Sequence, residues 1–229
     1  MKAEKKVENM DEVRQRMNSP KEILELENEI SGKFKKSDFR NLKVSGLTSD
    51  SRRVSSGNAF FALPGIRSNG NDFVDEAVRR GAKVIITEDD KIEIPSSAVK
   101  ICVEDSRKTL AKYAKRYYGS PDESLDVIGI TGTNGKTTVS TLTRHLLEEE
   151  GKPVGLIGTV RYNLGDREVP SFRTTPESTD LYSLLKSMLA GGCSEAVMEV
   201  SSHGIHQSRV QGLKLGVCAF LNLTRDHLD

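Results

Sequence analysis

The sequence predicts an α/β protein, a small mixed α/β domain followed by a doubly wound, mostly parallel sheet. Three observations point to this. From Val44 onward, apolar β-branched runs of strand length alternate with helical patterns, the pattern of parallel strands joined by helical crossovers. A glycine-rich turn, TGTNGKTT at 131–138, connects the apolar run LDVIGI at 125–130 to a helical stretch. Gly119, Ser120, Pro121 and Asp122 interrupt a helix and form the best boundary in the chain, between 41–122 and 123–229, with a charged leader at 1–40 ahead of both.

Composition sets the outer limits. At 229 residues the chain is long enough for one large or two medium domains with real cores. Lys and Arg number 34 against 33 Asp and Glu, and a net charge of +1 creates no field that draws nucleic acid or an anionic membrane, so neither is an expected partner. The start MKAEKKVENMDEV has no apolar segment of the secretory kind, and no apolar run is long enough to span a bilayer. A cytoplasmic location and a monomer are expected. Cys102, Cys193 and Cys218 are odd in number and lack paired zinc spacing, and two of them sit in apolar runs, so buried, reduced thiols are expected.

Residues 1–40 read as a charged leader with one helix signal, Ser19-Pro20-Lys21-Glu22, where serine caps, proline opens and glutamate stands third. Ile23, Leu26 and Ile30 supply a thin apolar stripe behind it. In 41–122, NAFFAL at 58–63 reads as a strand closed by Pro64-Gly65, and Asp72 to Arg80 as a helix stopped by Gly81. Strands AKVIIT and VKICV follow, then a helix from Ser106 to Tyr118. Before the first of these strands, Leu47-Thr48-Ser49-Asp50-Ser51-Arg52-Arg53 concentrates hydroxyls, a carboxylate and two arginines. Two readings stand for it: a loop that holds a sugar nucleotide, or a solvated turn.

Phosphate chemistry is clearest at 131–138. A strand that enters a helix through a glycine turn leaves backbone N–H groups converging at the positive end of the helix dipole. Gly132 and Gly135 let a ligand approach the backbone, Lys136 supplies a cation for the outer phosphates, and the Thr137 hydroxyl suits Mg²⁺. The motif is the shorter G-x-x-G-K-T, because Ile130 stands where the longer form has glycine. In the helix that follows, Val139, Leu142, Leu146 and Leu147 read as the buried face.

Strand PVGLIGTV, a polar loop and a helix opened at Thr175-Pro176 come next, and Leu181, Leu184, Leu185, Met188 and Leu189 form the buried face of that helix. Strand EAVMEV delivers Glu199, Ser201, Ser202 and His203 at its carboxyl end; GVCAFLNL delivers Asn222, Thr224, Asp226, His227 and Asp229. Ligands of such sheets bind at those ends. Glu199 suits a Mg²⁺ shared with Thr137, or else turns to solvent. His227 is either a ligand of a second metal or a capping residue, and His203 and His206 have no third ligand and stay unassigned.

TGTNGKTT, MEVSSHG and NLTRDHLD stand in the order and spacing of the Mur ligases, the ATP-dependent amide-forming enzymes of peptidoglycan synthesis, and the sequence resembles that family. LTSDSRRVSSGNAFFALPG and RTTPEST are similar to the branch that adds meso-diaminopimelate or L-lysine to UDP-MurNAc-L-Ala-D-Glu. The resemblance implies that Ser49 and Ser51 contact the uridine nucleotide, and that Thr174, Thr175, Ser201, Gln207 and Arg209 hold the muramoyl dipeptide. It implies ATP on Gly132, Thr133, Asn134, Gly135, Lys136, Thr137 and Thr138, and magnesium ions served by Thr137, Glu199 and His227, with Lys136, Glu199 and His227 as the catalytic set. Arg173 stands where some relatives carry asparagine.

The implied reaction phosphorylates the D-glutamyl γ-carboxylate, which the diamino acid's amine then attacks. The resemblance runs from about Val44 to Asp229. It implies that the ATPase sheet is truncated here, since the family adds a carbamylated lysine and an amino-acid-binding third domain, and that these residues alone are inactive. Two further readings stand beside the ligase: a binding module for nucleotide or UDP-muramoyl peptide without catalysis, and another phosphate-loop enzyme such as folylpolyglutamate synthetase. A GTPase is disfavoured, because neither N-K-x-D nor D-x-x-G follows the loop.

Overall fold

The computed structural model describes residues 6–7, 21–22, 43–65, 68–149 and 151–224. The chain forms two units, Asn18–Tyr117 and a second made of Met1–Met17 with Tyr118–Asp229. Ahead of residue 43 two short strands are described: β1 (Lys6–Val7), which runs parallel to Arg167–Glu168, and β2 (Lys21–Glu22), which pairs antiparallel with β3 (Lys43–Val44). The expected helix at Ser19-Pro20 is therefore extended at Lys21 and Glu22, where ladder hydrogen bonds replace a marginal helical turn. The rest of that signal, with Ile23, Leu26 and Ile30, lies outside the described residues.

The Asn18–Tyr117 unit is built on four parallel strands in sequence order, β4 (Leu47–Thr48), β5 (Ala59–Phe61), β6 (Val84–Thr87) and β7 (Val99–Cys102). Strands β5 and β6 are buried throughout, which is why they read as unbroken apolar runs rather than alternating ones. Phe60 and Ile85 pack with Val74 and Ala77 of α1 (Val74–Arg79). Phe61 points the other way and meets Tyr113 of α2 (Ser106–Tyr117) edge to face at 5.7 Å. Asp105 caps α2 by accepting the Lys108 N–H at 2.8 Å. Beyond α2 the chain passes through two left-handed residues, Gly119 (φ 84°) and Ser120 (φ 51°), a conformation no α-helix continues through.

The second unit contains β8 (Asp126–Thr131), α3 (Lys136–Glu148), β9 (Val154–Ile157), β10 (Arg161–Asn163), β11 (Arg167–Pro170), α4 (Ser178–Ala190), β12 (Glu195–Glu199), α5 (Ser202–His206) and β13 (Val217–Phe220). Among the described residues the sheet order is β1-β11-β10-β9-β12-β8-β13. Strands β9, β12, β8 and β13 are mutually parallel, and β10 is antiparallel to both its neighbours. Side chains alternate across β9: Val154 and Leu156 face Val139 and Leu147 of α3, whereas a Cβ on Gly155 would fall 2.4 Å from the Met188 sulfur of α4. Helices thus cover both faces, as a doubly wound sheet requires.

Four expectations need correction. Segment 161–170 is a hairpin rather than a polar loop; its strands are short and carry Arg161, Arg167 and Glu168, but Tyr162, Leu164 and Val169 are buried. Helix α4 begins at Ser178, with Glu177 at its cap, because the Thr175 hydroxyl is engaged in a tertiary contact instead of capping. Leu142 and Leu146 of α3 are 57% and 73% exposed; the inward face runs through Ser140, Arg144 and Leu147, and Arg144 reaches the Val154 carbonyl at 3.3 Å. Cys218 is exposed on the edge strand β13 and Cys102 is half-buried, leaving Cys193 as the buried thiol. Among the described residues no helix is long and apolar enough to cross a membrane.

Helix α4 is buried almost all round, and the Tyr182 hydroxyl has no hydrogen-bond partner among the described residues. Burial, reinforced by the nearby Asp122 and Glu123 charges, raises the Tyr182 phenol above its ordinary value. Removing that hydroxyl as Tyr182→Phe is expected to leave stability unchanged or to raise it by about 1 kcal/mol. Leu185→Ala on the same helix is expected to cost about 2–5 kcal/mol. Urea unfolding of the two variants against the parent chain measures both.

Candidate functional site

The glycine loop sits where β8 ends and α3 begins. Gly132 has φ 147°, and a Cβ there would lie 3.1–3.2 Å from Leu221 and the Asn222 backbone, so a side chain would wedge the loop away from the segment after β13. Gly135 is the N-cap of α3 with φ 85° and makes no side-chain cap, which leaves the first N–H groups of a thirteen-residue helix open to an anion. Lys136 arches back over the loop, its Nζ donating to the Gly132 carbonyl at 2.5 Å and the Thr133 carbonyl at 3.0 Å. The loop is held from outside by residues 222–224. Thr133 N–H donates to the Asn222 carbonyl at 3.1 Å, and the Asn222 side chain both accepts from the Asn134 N–H and donates to its carbonyl at 3.0 Å.

Glu199 ends β12 and is 1% exposed. Such a carboxylate needs donors, and three converge on it. Thr137 Oγ1 donates to Oε2 at 3.0 Å, Thr159 Oγ1 donates to Oε2 at 3.0 Å, and the Thr159 N–H donates to Oε1 at 3.0 Å. Of the two sequence readings, the solvent-turned carboxylate is overturned. Gly158 is part of the arrangement, since a Cβ there would stand 2.5 Å from Glu199 Oε1.

Across the cleft lies segment 173–175. Tyr162 pins its start, with its hydroxyl 2.5 Å from the Arg173 carbonyl and accepting the Arg173 N–H at 3.1 Å. Thr174 Oγ1 is 3.0 Å from Thr159 Oγ1. Buried Thr175 lies 3.0 Å from the Glu199 carbonyl and accepts the Ser201 N–H at 2.9 Å, tying this segment to the end of β12. Arg209 donates to the Thr175 carbonyl at 2.9 Å and to Gln207, and pairs with Glu177 at 2.9 Å. Glu177 also takes Arg173 at 2.5 Å, so the Arg173 side chain is anchored at the rim.

The loop from Thr133 on, Thr159, Glu199 and segment 173–175 line one cleft of about 680 Å³, with Gly132 outside the lining. It brings together Thr133, Asn134, Gly135, Lys136, Thr137, Thr138, Glu199, Thr174, Thr175, Ser201, Gln207 and Arg209. His227, with Asp226 and Asp229, lies outside the described residues. Ser49 and Ser51 belong to the other unit, at the carboxyl end of β4. Ser51 is buried and donates to Glu76 Oε2 at 2.9 Å, while Asp50 accepts the Arg52 guanidinium at 2.8 and 2.9 Å. The Arg52 bond holds the Asp50 carboxyl below its usual value, and the Ser51 hydroxyl does the same for Glu76. Among the described residues no three His, Cys, Asp or Glu side chains cluster as a metal site.

Sequence reasoning missed Thr159 and the clamp by Asn222. Thr159 was findable, because it stands two residues past β9 at the ligand-binding edge of a parallel sheet. Asn222 was placed at that edge without a role, since its bonds are to loop backbone, which no motif encodes.

Comparison with known proteins adds two family matches. Residues 43–118 match the Mur ligase family catalytic domain, and residues 130–229 match the Mur ligase middle domain. The UDP-N-acetylmuramoyl-L-alanyl-D-glutamate--2,6-diaminopimelate ligase of Geobacter metallireducens is 42% identical over 188 residues, 82% of this chain and 37% of the relative. The ligase of the same name from Geobacillus kaustophilus is 45% identical over 190 residues, 82% of this chain and 38% of the relative. The chain thus spans less than two-fifths of the length of these curated relatives. A solved ligase structure of that name superposes with a TM-score of 0.74 at 28% identity, covering 92% of this chain and 42% of the other. The MurF ligase of Thermotoga maritima in complex with ADP gives 0.50 at 28% identity, covering 77% and 37%.

Two outcomes are expected. Asn222→Ala removes both side-chain bonds to Asn134, so amide hydrogen exchange at Asn134 is expected to quicken about fivefold or more while the β8 amides keep their protection. The depressed Asp50 and Glu76 values mean that their stabilisation is present above their ordinary unfolded values, near 3.8 and 4.5, and is lost as pH falls through the lower folded values. Thermal unfolding of the 18–117 unit, followed in the whole chain, is expected to move to lower temperature below about pH 4.

Proposed function

The chain belongs to the Mur ligase family, and from that premise we propose that it serves an ATP-dependent ligase that joins a diamino acid to UDP-MurNAc-L-Ala-D-Glu in the cytoplasm, supplying the ATP and muramoyl-dipeptide sites. One observation carries the reading: a single cleft holds the phosphate loop, a buried carboxylate and the Thr174–Arg209 set, so a nucleotide and a peptide would lie against each other.

Under this proposal the loop N–H groups and the open end of α3 receive the phosphates, and Lys136 leaves the Gly132 and Thr133 carbonyls for the outer ones. Thr174, Thr175, Ser201, Gln207 and Arg209 orient the dipeptide so that its γ-carboxylate faces the transferring phosphoryl group. Phosphorylation makes the carboxylate oxygen a leaving group. The amine then attacks the carbonyl carbon and inorganic phosphate departs. Lys136 neutralises charge on the phosphoryl oxygens during transfer, where electrostatic stabilisation is most effective. Ser49 and Ser51 take the uridine nucleotide.

The donor set also fits Mg²⁺. Thr137 and Glu199 offer oxygen atoms 3.0 Å apart at the floor of the cleft, and with the Thr137 proton directed to Glu199 its lone pairs are left for a hard cation. When bound, the ion would neutralise phosphate charge; His227 is proposed for a second ion.

Because the curated relatives are more than twice as long, the second reading, a module that binds both ligands without turnover, is proposed for these 229 residues taken alone. Lys136→Ala is expected to weaken ATP binding at least about tenfold in titration calorimetry, with the unfolding temperature preserved. An unchanged affinity would sink the nucleotide assignment.

A further inference from the structure

We infer that Thr159 is the positioning residue of the Glu199 carboxylate, fixing it for the cation and linking it to the peptide side of the cleft through Thr174. The inference rests on the ATP and Mg²⁺ reading above. It concerns a residue that none of the motifs contains.

The geometry is specific. Thr159 addresses both oxygens of one buried carboxylate, the backbone N–H to Oε1 and the hydroxyl to Oε2, each at 3.0 Å. Two bonds from one residue to the two ends of a carboxylate set its rotation about the terminal bond, which a single donor leaves free. The preceding residue is shaped for the same purpose. Gly158 has room for no side chain, since a Cβ would stand 2.5 Å from Oε1, and Ser171 holds its carbonyl at 2.7 Å. The turn after β9 is thus fitted to Glu199 by backbone, side chain and clearance together.

Proton bookkeeping gives the chain of hydroxyls a direction. Thr159 has one hydroxyl proton, and Glu199 takes it. Toward Thr174 the same oxygen can only accept, so the Thr174 hydroxyl is the donor across the 3.0 Å contact. The series runs from Thr174 to Thr159 to Glu199, and Thr137 approaches Oε2 from the phosphate loop. Each donor polarises the next, and all act on the oxygen that Thr137 shares.

A group that orients a ligand of a metal is felt in metal affinity rather than in fold stability. The test is ATP affinity of the 229-residue chain, measured by calorimetry with Mg²⁺ and again with EDTA, for the parent, Thr159→Val and Thr159→Ser. The Mg²⁺ enhancement is the ratio of the two dissociation constants. Thr159→Val keeps the shape and the backbone N–H but loses the hydroxyl, and is expected to lower that ratio about tenfold while leaving the EDTA affinity unchanged. Thr159→Ser restores the hydroxyl and is expected to restore the ratio to within about twofold, which a merely structural role would not predict. A Val variant with the parental ratio overturns the inference and leaves the ATP reading standing. A parent chain that binds no ATP, or binds it without Mg²⁺ enhancement, overturns that reading and this inference with it.

Discussion

A carboxylate buried at the end of an apolar strand is the constraint around which the second unit is arranged. Glu199 is 1% exposed, and a charge so placed is tolerated only when donors replace the water it has lost. Those donors come from the phosphate loop, through Thr137, and from the turn after β9, through Thr159. Satisfying Glu199 therefore brings the carboxyl ends of β8, β9 and β12 to a common point. The parallel register of the three strands makes this possible, because Glu199 pairs with Ile130, one residue before β8 ends.

The same edge is stiffened from two further directions. Segment 222–224 grips the glycine loop by backbone and amide contacts, so the loop is shaped before any phosphate arrives. Tyr162 and Thr175 anchor the facing segment 173–175 at both ends, and the Glu177 carboxylate braces Arg173 and Arg209. Preorganisation of this kind removes part of the ordering cost that ligand binding otherwise carries. Lys136 is the exception, since its side chain must leave two loop carbonyls to reach a ligand.

Where local pattern and tertiary demand agreed, the elements were legible. Strands β5, β6, β8, β9 and β12 appeared as apolar runs because both of their faces are covered. Where they disagreed, the pattern misled. Thr175-Pro176 has the chemistry of a helix start, but Thr175 is occupied with Glu199 and Ser201, and α4 begins at Ser178. Helix α3 carries four apolar residues that suggest one buried stripe, yet only Val139 and Leu147 of them pack on the sheet, beside Ser140 and Arg144, while Leu142 and Leu146 face outward, so hydrophobic periodicity sets the buried face only in part. The hairpin 161–170 escaped notice because strands of three and four residues bearing arginine and glutamate have too few turns of alternation to register.

By itself the sequence determined the phosphate loop, the alternation that makes a parallel sheet, and the family, since each of these is written in contiguous residues. Tertiary structure alone decided that Glu199 is enclosed rather than solvated, that Thr159 and Asn222 belong to the site, and that Thr174 stands 3.0 Å from Thr159. The physical reason is that a hydrogen bond between residues 40 or 88 positions apart depends on strand order and register, which no local spacing records.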